Sequence, residues 1–208
     1  MVLDDPKNYW RAASYAERYE QGRFGSLKGQ VYRSLEERAI RRAIQALARR
    51  SRILDAACGT GRITSLLLRE GFAAVGCDIS IPMMSVARRR LAQVALLQSD
   101  VACLPFSDDS FDAVTCIGLL MHLDGDTRIT VLRELARISR RLLVVQYGWV
   151  GAVLRLKTWF TGQKAGRVRY PVVEAELHGD LQQSGLAELA RFWVLRPVSS
   201  RVILVLAK

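Results

Sequence analysis

The sequence predicts an α/β fold, in which a doubly wound and mainly parallel sheet carries helices on both faces. Short apolar runs alternate with stretches of helical periodicity over residues 52–147. A glycine-containing turn at residues 57–61 joins the first apolar run to the helix that follows it. Two further apolar runs near the end, 186–196 and 199–207, indicate a strand pair turning at Pro197. Strands that alternate with helices form a parallel sheet whose two faces are covered.

Each element of this fold is predicted from its own pattern. We expect strands near residues 52–57, 73–77, 94–98, 111–117 and 141–147, and helices near 62–70, 81–91, 126–139 and 172–184. Ser80 before Pro82 predicts an N-cap followed by a proline in the first helical turn. Ahead of the sheet, residues 31–48 place apolar side chains on one helical stripe, and residues 6–20 also have helical spacing. A loop is expected at 22–29, where glycines recur.

The length of 208 residues predicts a single domain, 1–208. We divide it into N-terminal cap helices (1–50), a ligand-binding core (51–148), a basic and aromatic lid insertion (149–170) and a C-terminal helix with the strand pair (171–208).

The composition bounds the environment of the protein. The four cysteines lie in or beside apolar runs, without C-x-x-C spacing, and predict buried reduced thiols. No apolar stretch approaches the length of a membrane span, and no secretory signal is evident at the N-terminus. We therefore expect a cytoplasmic protein. The net charge of +11 is typical either of an arginine-rich solvated surface or of contact with nucleic acid, anionic membrane or acidic substrates.

The turn at residues 57–61 predicts a nucleoside site. In a right-handed strand–helix–strand unit, this turn and Asp78 lie together at the carboxyl edge of the sheet. Glycines admit a ligand close to the backbone, and an acid about 20 residues later suits the hydroxyls of a ribose. The G-x-G-x-x-G pattern of dinucleotide enzymes is missing, and Asp55 would repel a pyrophosphate but accept from an amino group. A nucleoside that carries an amino acid is favoured.

These motifs resemble those of the class I S-adenosylmethionine-dependent methyltransferases. The resemblance covers residues 52–146 and includes L-D-A-A-C-G-T-G-R, G-C-D-I-S and Q-S-D-V-A-C-L-P-F-S-D-D-S-F-D-A-V in order. Ala57 departs from the family, which usually has glycine there. The resemblance implies a Rossmann-like seven-stranded sheet in the order 3-2-1-4-5-7-6 with its last strand antiparallel, and S-adenosyl-L-methionine as cofactor.

The resemblance also implies the residues of the cofactor site. They are Asp55, Ala57, Cys58, Gly59, Thr60, Gly61, Asp78, Ile79, Asp100, Val101, Ile117 and Arg23. Alternatives stay open for several of them: the glycines suit any strand-to-helix turn, Asp78 could cap the next helix, and Asp100 could open a turn. Arg33 competes with Arg23 as partner of the methionine carboxylate, and Tyr15 and Tyr19 are candidates to close over the methionine. Arg23 and the tyrosines could equally belong to an ordinary helix.

Methyl transfer requires alignment and exclusion of water rather than a metal or a catalytic triad. His122 follows the fourth strand, where an imidazole could remove a proton from the acceptor, or serve only as pocket wall.

Three functions remain open at this point. The first is methylation of a small-molecule or lipid-like acceptor, with the 149–170 segment as a lid or as a contact with anionic membrane. The second is RNA methylation, against which the chain shows no N-P-P-Y-like tetrapeptide and no catalytic cysteine after a proline beyond the fourth strand. The third is S-adenosylmethionine binding without catalysis. The acceptor and the oligomeric state do not follow from the sequence.

Overall fold

The computed structural model describes residues 13–149, 170–195 and 201–208. It has the helices α1 (Ala13–Phe24), α2 (Leu27–Ile44), α3 (Arg62–Arg69), α4 (Ile81–Arg90), α5 (Gly125–Ile138) and α6 (Glu174–Ser184). The strands are β1 (Arg52–Ala56), β2 (Ala73–Asp78), β3 (Leu96–Gln98), β4 (Phe111–Cys116), β5 (Ser139–Gly148), β6 (Ala187–Trp193) and β7 (Arg201–Ala207).

The seven strands form one sheet in the order β3-β2-β1-β4-β5-β7-β6. The first five strands are parallel, and β7 is antiparallel to both of its neighbours. This confirms the predicted fold class, strand order and antiparallel last strand. The loops that follow β1, β2, β3 and β4 consequently meet at one carboxyl edge.

Neighbouring residues of the central strands pack into two different apolar layers. Ile53 faces the layer built with α2 and α3, whereas Leu54 faces the layer built with α5 and α6. Ala113 and Val114 of β4 divide in the same way. Because side chains alternate along a strand, this burial on both faces explains why the central strands read as continuous apolar runs.

The predicted loop at 22–29 is wrong. Only residues 25 and 26 interrupt the two helices, since α1 ends at Phe24 and α2 begins at Leu27. The Ser26 hydroxyl caps α2 by accepting from the Gly29 amide at 3.1 Å. A Cβ at Gly29 would lie 2.7 Å from the Arg23 carbonyl oxygen. Glycine here permits close packing of two helices rather than a loop.

Other sequence expectations meet the structure as follows. Ser80 caps α4 with proline in its first turn, as predicted. Cys58, Cys77 and Cys116 are buried free thiols, but Cys103 is exposed, so the prediction of burial was wrong for that residue.

Within the described ranges, no helix has the length and apolarity needed to cross a bilayer. The proposed lid falls almost entirely on residues 150–169, which lie outside the described part of the chain.

Candidate active site

The turn after β1 holds three residues in the left-handed region of backbone space. Their φ angles are 56° for Ala57, 55° for Gly59 and 76° for Gly61. A side chain with a Cβ pays roughly 1–2 kcal/mol for that conformation, which explains the preference for glycine. Ala57, which stands where the family usually has glycine, adopts this left-handed conformation with its Cβ present.

Gly61 serves helix packing rather than the cleft. A Cβ there would lie 2.7 Å from Leu91 Cδ1 and 3.0 Å from Ala87 Cβ. The start of α3 therefore approaches α4 too closely for a side chain. This residue positions the turn, and it does not line the cleft described below.

Asp78 ties together two loops at the carboxyl edge. Its Oδ2 accepts from the Gly59 amide and its Oδ1 from the Ser80 amide, each at 2.8 Å. The side chain is buried, and burial raises the pKa of Asp78 although the backbone amides oppose that rise. Asp78 therefore braces the glycine turn from the next strand, while one side of its carboxylate faces the cleft.

Asp55 lies behind the turn. Its carboxylate accepts from the hydroxyls of Thr64 at 2.6 Å and Thr115 at 3.0 Å. Burial raises the pKa of Asp55 to about 6, although these two hydrogen bonds oppose the shift. The residue is 1% exposed and does not line the cleft. The predicted contact between Asp55 and an amino group is corrected by this placement: the carboxylate supports the turn from beneath.

The carboxyl edge opens into a cleft of about 1190 Å³, continuous with solvent. All but two of the predicted site residues line it, the exceptions being Asp55 and Gly61. The predicted residues that the structure brings together here are Arg23, Ala57, Cys58, Gly59, Thr60, Asp78, Ile79, Asp100, Val101, Ile117 and His122. Residues from five separate segments thus converge on one space.

Asp100 and Val101 form the side of the cleft beyond β3. The Asp100 carboxylate accepts from the Ala102 amide at 3.0 Å, so it does open a turn. Both residues also line the cleft, and Val101 packs against the apolar layer beneath the sheet. The turn role and the cleft role of Asp100 are therefore compatible.

Arg62 is a cleft residue that sequence reasoning missed. Its side chain is 9% exposed and pairs with Glu36 of α2. Its Nη1 is buried without a hydrogen bond and lies 3.9 Å from Glu37 Oε1. The guanidinium therefore lies between two acids of α2, and because Arg62 also lines the cleft, its positive charge favours an anionic group of a ligand there. The sequence offered no signal for this role, because the partner Glu36 lies 26 positions earlier.

Glu36 is the centre of a buried ionic network. It is fully buried, accepts from Gln146 Nε2 at 2.7 Å, and lies 3.8 Å from Arg23. Burial opposes its ionisation, but the guanidinium groups of Arg62 and Arg23 outweigh burial and lower the pKa of Glu36. Arg23 also donates to the Tyr19 hydroxyl, and both residues line the cleft. The network fixes the two N-terminal helices on the core.

Arg33, the rival candidate for a ligand carboxylate, points elsewhere. Its Nε donates to Glu37 at 2.9 Å and it does not line the cleft. Tyr15 belongs to α1, and its side chain is outside the described part. Of the N-terminal candidates described, Arg23 and Tyr19 face the cleft.

His122 ends a short 3₁₀ turn, Leu120–His122, on the far side of the cleft. The cleft wall on this side also includes the apolar side chains of Leu119, Leu123 and Val131 and the hydroxyl-bearing Thr127. The turn is held from two directions: the Tyr170 amide donates to the Met121 carbonyl at 2.9 Å, and Arg128 donates to the Leu123 carbonyl at 3.2 Å.

A buried polar group supports that turn. Arg128 pairs with Asp180 of α6, and Asp180 accepts from the Tyr147 hydroxyl at 3.1 Å. All three residues are at most 5% exposed. The group connects α5, α6 and β5 to the segment that carries His122.

The sequence of the core matches known enzymes over this same region. A model of the family "Methyltransferase domain" matches residues 53–141, which contain the glycine turn, Asp78, Asp100 and His122. Residues 53–141 belong to the methyltransferase domain family. Among the described residues, no cluster suited to a metal ion accompanies this domain.

Relatives of this methyltransferase domain include a demethylmenaquinone methyltransferase of Beutenbergia cavernae, 37% identical over 53% of this chain and 48% of that protein. A probable tRNA methyltransferase 9B of Bos taurus is 34% identical over 48% of this chain and 21% of that protein. The chain thus spans about half or less of the length of these relatives. Magnesium protoporphyrin IX methyltransferase from Synechocystis PCC 6803, crystallised with bound SAH, has a TM-score of 0.77 at 20% identity, covering 97% of each chain. The fold is that of the class I S-adenosylmethionine-dependent methyltransferases.

Proposed function

We propose that this chain transfers the methyl group of S-adenosyl-L-methionine to a small-molecule or lipid-like acceptor by in-line displacement. The observation that carries the proposal is the convergence of the glycine turn, Asp78, Asp100 and His122 on one cleft. The family match over the core and the class I fold support the same activity.

The residues of the cleft fit this cofactor. Arg23 and Arg62 both line the cleft, and their guanidinium groups suit a carboxylate such as that of methionine. The Asp78 carboxylate suits the two hydroxyls of a ribose, and Asp100 suits the amino group of adenine. Ile79 and Val101 offer apolar surface to a flat ring. These assignments agree with the sequence predictions and add Arg62 to them.

The chain contributes alignment and exclusion of water. S-adenosylmethionine supplies, when bound, an activated methyl group whose transfer needs no acid. The apolar side chains of Leu119, Leu123 and Val131 offer no hydrogen bonds to water on the His122 side of the cleft wall. His122 lies within that wall, where its imidazole can hold the proton that a hydroxyl, phenol or amine loses on methylation.

The acceptor that this wall suits is largely apolar. Ile117, Leu119, Leu123 and Val131 make most of the cleft wall on this side apolar, with Thr127 and His122 as its polar residues. The names of two similar proteins point to demethylmenaquinone and magnesium protoporphyrin IX as their own acceptors, and both of those acceptors are largely apolar ring systems. We propose an acceptor of this type, carrying one methylatable oxygen, nitrogen or carbon.

RNA methylation is the second candidate, favoured by the similarity to the probable tRNA methyltransferase. The apolar wall around His122 argues for the first candidate. The third candidate function is binding of S-adenosylmethionine without methyl transfer.

Turnover with a labelled methyl donor separates the three. The purified chain is incubated with S-adenosylmethionine and either a naphthol-type quinone precursor or bulk tRNA. We expect label in the quinone fraction, and less label with Asp78→Ala at a cofactor concentration that does not saturate the variant. Asp108→Ala, which changes an exposed acid at the opposite edge of the sheet, is the control and should retain activity. Label in tRNA alone would establish the second candidate, and cofactor binding without label in any extract fraction would establish the third.

A further inference from the structure

One exposed stripe of α2 has a composition that the fold does not require. Positions 27, 31, 38 and 42 follow one another at helical spacing and lie on one face of the helix. Leu27 is 77% exposed and Val31 is 53% exposed. Arg38 and Arg42 are also exposed, and within the described residues neither has an ion pair or hydrogen bond. We call these four residues the outer stripe of α2.

Other arginines on the same helix are neutralised within the protein. Arg41 pairs with Glu70 at 2.7 Å, and Arg33 pairs with Glu37 at 2.9 Å. Glu70 and Glu37 therefore pair with arginines outside the outer stripe. Arg38 and Arg42 can bind an anion from outside the protein.

The cationic surface continues past the end of the helix. A shallow cavity of about 560 Å³, open to solvent, is lined there by Arg49, Arg50 and Arg141, again without ion pairs in the described part of the chain. The acid in this cavity, Asp112, already accepts from the Arg52 amide at 2.9 Å and from Arg140 at 3.1 Å. Within the described residues, five guanidinium groups without an ion pair thus lie on α2 and at the cavity that follows it.

The apolar end of the stripe lies near the mouth of the cleft. Leu27 follows the cleft residue Arg23 by four positions. Further along α2, Glu36 contacts Gln146 near the carboxyl end of β5, and Tyr32 contacts Arg201 at the start of β7, so the helix runs toward that edge of the sheet in the direction of Leu27. The arginines extend from there toward the opposite edge.

We propose that the outer stripe of α2 docks the protein on an anionic lipid bilayer. Leu27 and Val31 would enter the interface, and the arginines would bind lipid phosphates, as in amphipathic helices that lie on membranes. Exposed apolar side chains beside the cations favour a bilayer over nucleic acid, which offers them no apolar phase. The docking rests on the proposed function in one respect: it explains how a lipid-like acceptor reaches the cleft from the bilayer.

Vesicle co-sedimentation tests the docking without any turnover. The full chain is mixed with phosphatidylcholine vesicles, with or without phosphatidylserine, at low and high salt. We expect binding only with phosphatidylserine, weakened by salt. Arg38→Gln with Arg42→Gln should lower the partition coefficient about 25-fold, since each cation near an anionic surface contributes about fivefold. Leu27→Ser should lower it as well.

Two matched controls locate the effect. Arg88→Gln removes an exposed arginine of α4 that has no ion pair to any described residue, and Leu189→Ser removes a leucine of β6 that is 60% exposed. Both should bind vesicles like the parent. A loss of about fivefold for Arg88→Gln, the effect expected for any one cation, would show that only net charge matters, and a loss for Leu189→Ser equal to that for Leu27→Ser would show that any exposed leucine suffices. Either result would overturn the proposal.

Two further outcomes also overturn it. The first is that the parent binds neither kind of vesicle. The second is that the parent binds a labelled single-stranded RNA through Arg38 and Arg42 but does not bind vesicles. Calorimetry with S-adenosylmethionine on the same variants separates this proposal from the enzymatic one. Every stripe variant should bind S-adenosylmethionine like the parent. Loss of vesicle binding with cofactor binding intact would therefore leave the proposed enzymatic function unaffected. Absence of cofactor binding in the parent would instead refute the enzymatic function and not the docking.

Discussion

Replacing Glu36 by glutamine tests whether the buried ionic network holds the N-terminal helices in place. Glu36 is fully buried and pairs with Arg62, while Arg23 lies 3.8 Å away. The substitution keeps the shape and an acceptor for Gln146 but removes the charge. Removing one partner of a buried ion pair costs about 3–5 kcal/mol, because the other charge stays buried without compensation. We therefore expect the free energy of unfolding to fall by about 3–5 kcal/mol.

Urea denaturation at neutral pH measures this loss. Glu188→Gln is the control: its glutamate pairs with Arg191 but is 26% exposed, so its substitution should cost no more than about 1 kcal/mol. The pKa of Glu36 is lowered in the folded protein, so its contribution is complete above the ordinary value of 4.5 and is lost as pH falls below it. The difference between variant and parent should consequently shrink in acid.

The same variant tests the assignment of Arg62 and Arg23 to a carboxylate. With Glu36 neutral, a bound carboxylate would compensate their charge, so S-adenosylmethionine should stabilise the variant more than it stabilises the parent. A loss of stability under about 1 kcal/mol would refute the ionic argument. An equal gain from the cofactor in both proteins would refute the carboxylate assignment.

Four other substitutions have defined outcomes. Asp78→Ala should weaken S-adenosylmethionine binding by about 1–3 kcal/mol in calorimetry, the scale of lost hydrogen bonds to a charged group; unchanged affinity would show that the ribose acid is misassigned. For Asp55→Asn, the free energy of unfolding relative to the parent should rise by about 2–3 kcal/mol between about pH 4 and pH 6. The reason is that the pKa of Asp55 is raised to about 6 in the folded protein, so ionisation of this carboxyl destabilises the parent in that pH range. A difference between variant and parent that does not change with pH across that range would contradict this expectation. Ala57→Gly should raise the free energy of unfolding by about 0.5–1 kcal/mol, since glycine adopts the positive φ without strain, and a destabilised variant would argue against strain at this position. His122→Ala should lower turnover at least tenfold with cofactor affinity nearly intact, and full turnover would make His122 a wall residue.

Much of the fold followed from local patterns. The central strands appeared as apolar runs because both of their faces are buried, and the cap of α4 was visible in Ser80 and Pro82. The 22–29 segment misled because glycine has two uses. At Gly29 the missing Cβ lets two helices touch, and that use looks in sequence like a break.

The candidate site was likewise predicted in part from local sequence patterns. Asp78 and Asp100 were predicted as cleft residues, and the structure places both in the cleft beside the glycine turn; their contact with a cofactor stays a prediction. The placement of Asp55 depended on Thr64 and Thr115, whose hydroxyls hold its carboxylate behind the turn.

The sequence by itself determined the strand–helix alternation, the turn that requires positive φ angles, and the acids at the ends of β2 and β3. These features depend on residues close together in the chain, and the backbone rules that govern them are local. Only the tertiary structure decided that Arg62 faces the cleft from a pair with Glu36, that Asp55 stays behind the turn, and that two arginines of α2 remain unneutralised. Each of those depends on which distant groups the folded chain brings within a few ångströms, because the energy of a charge is set by its neighbours and its burial.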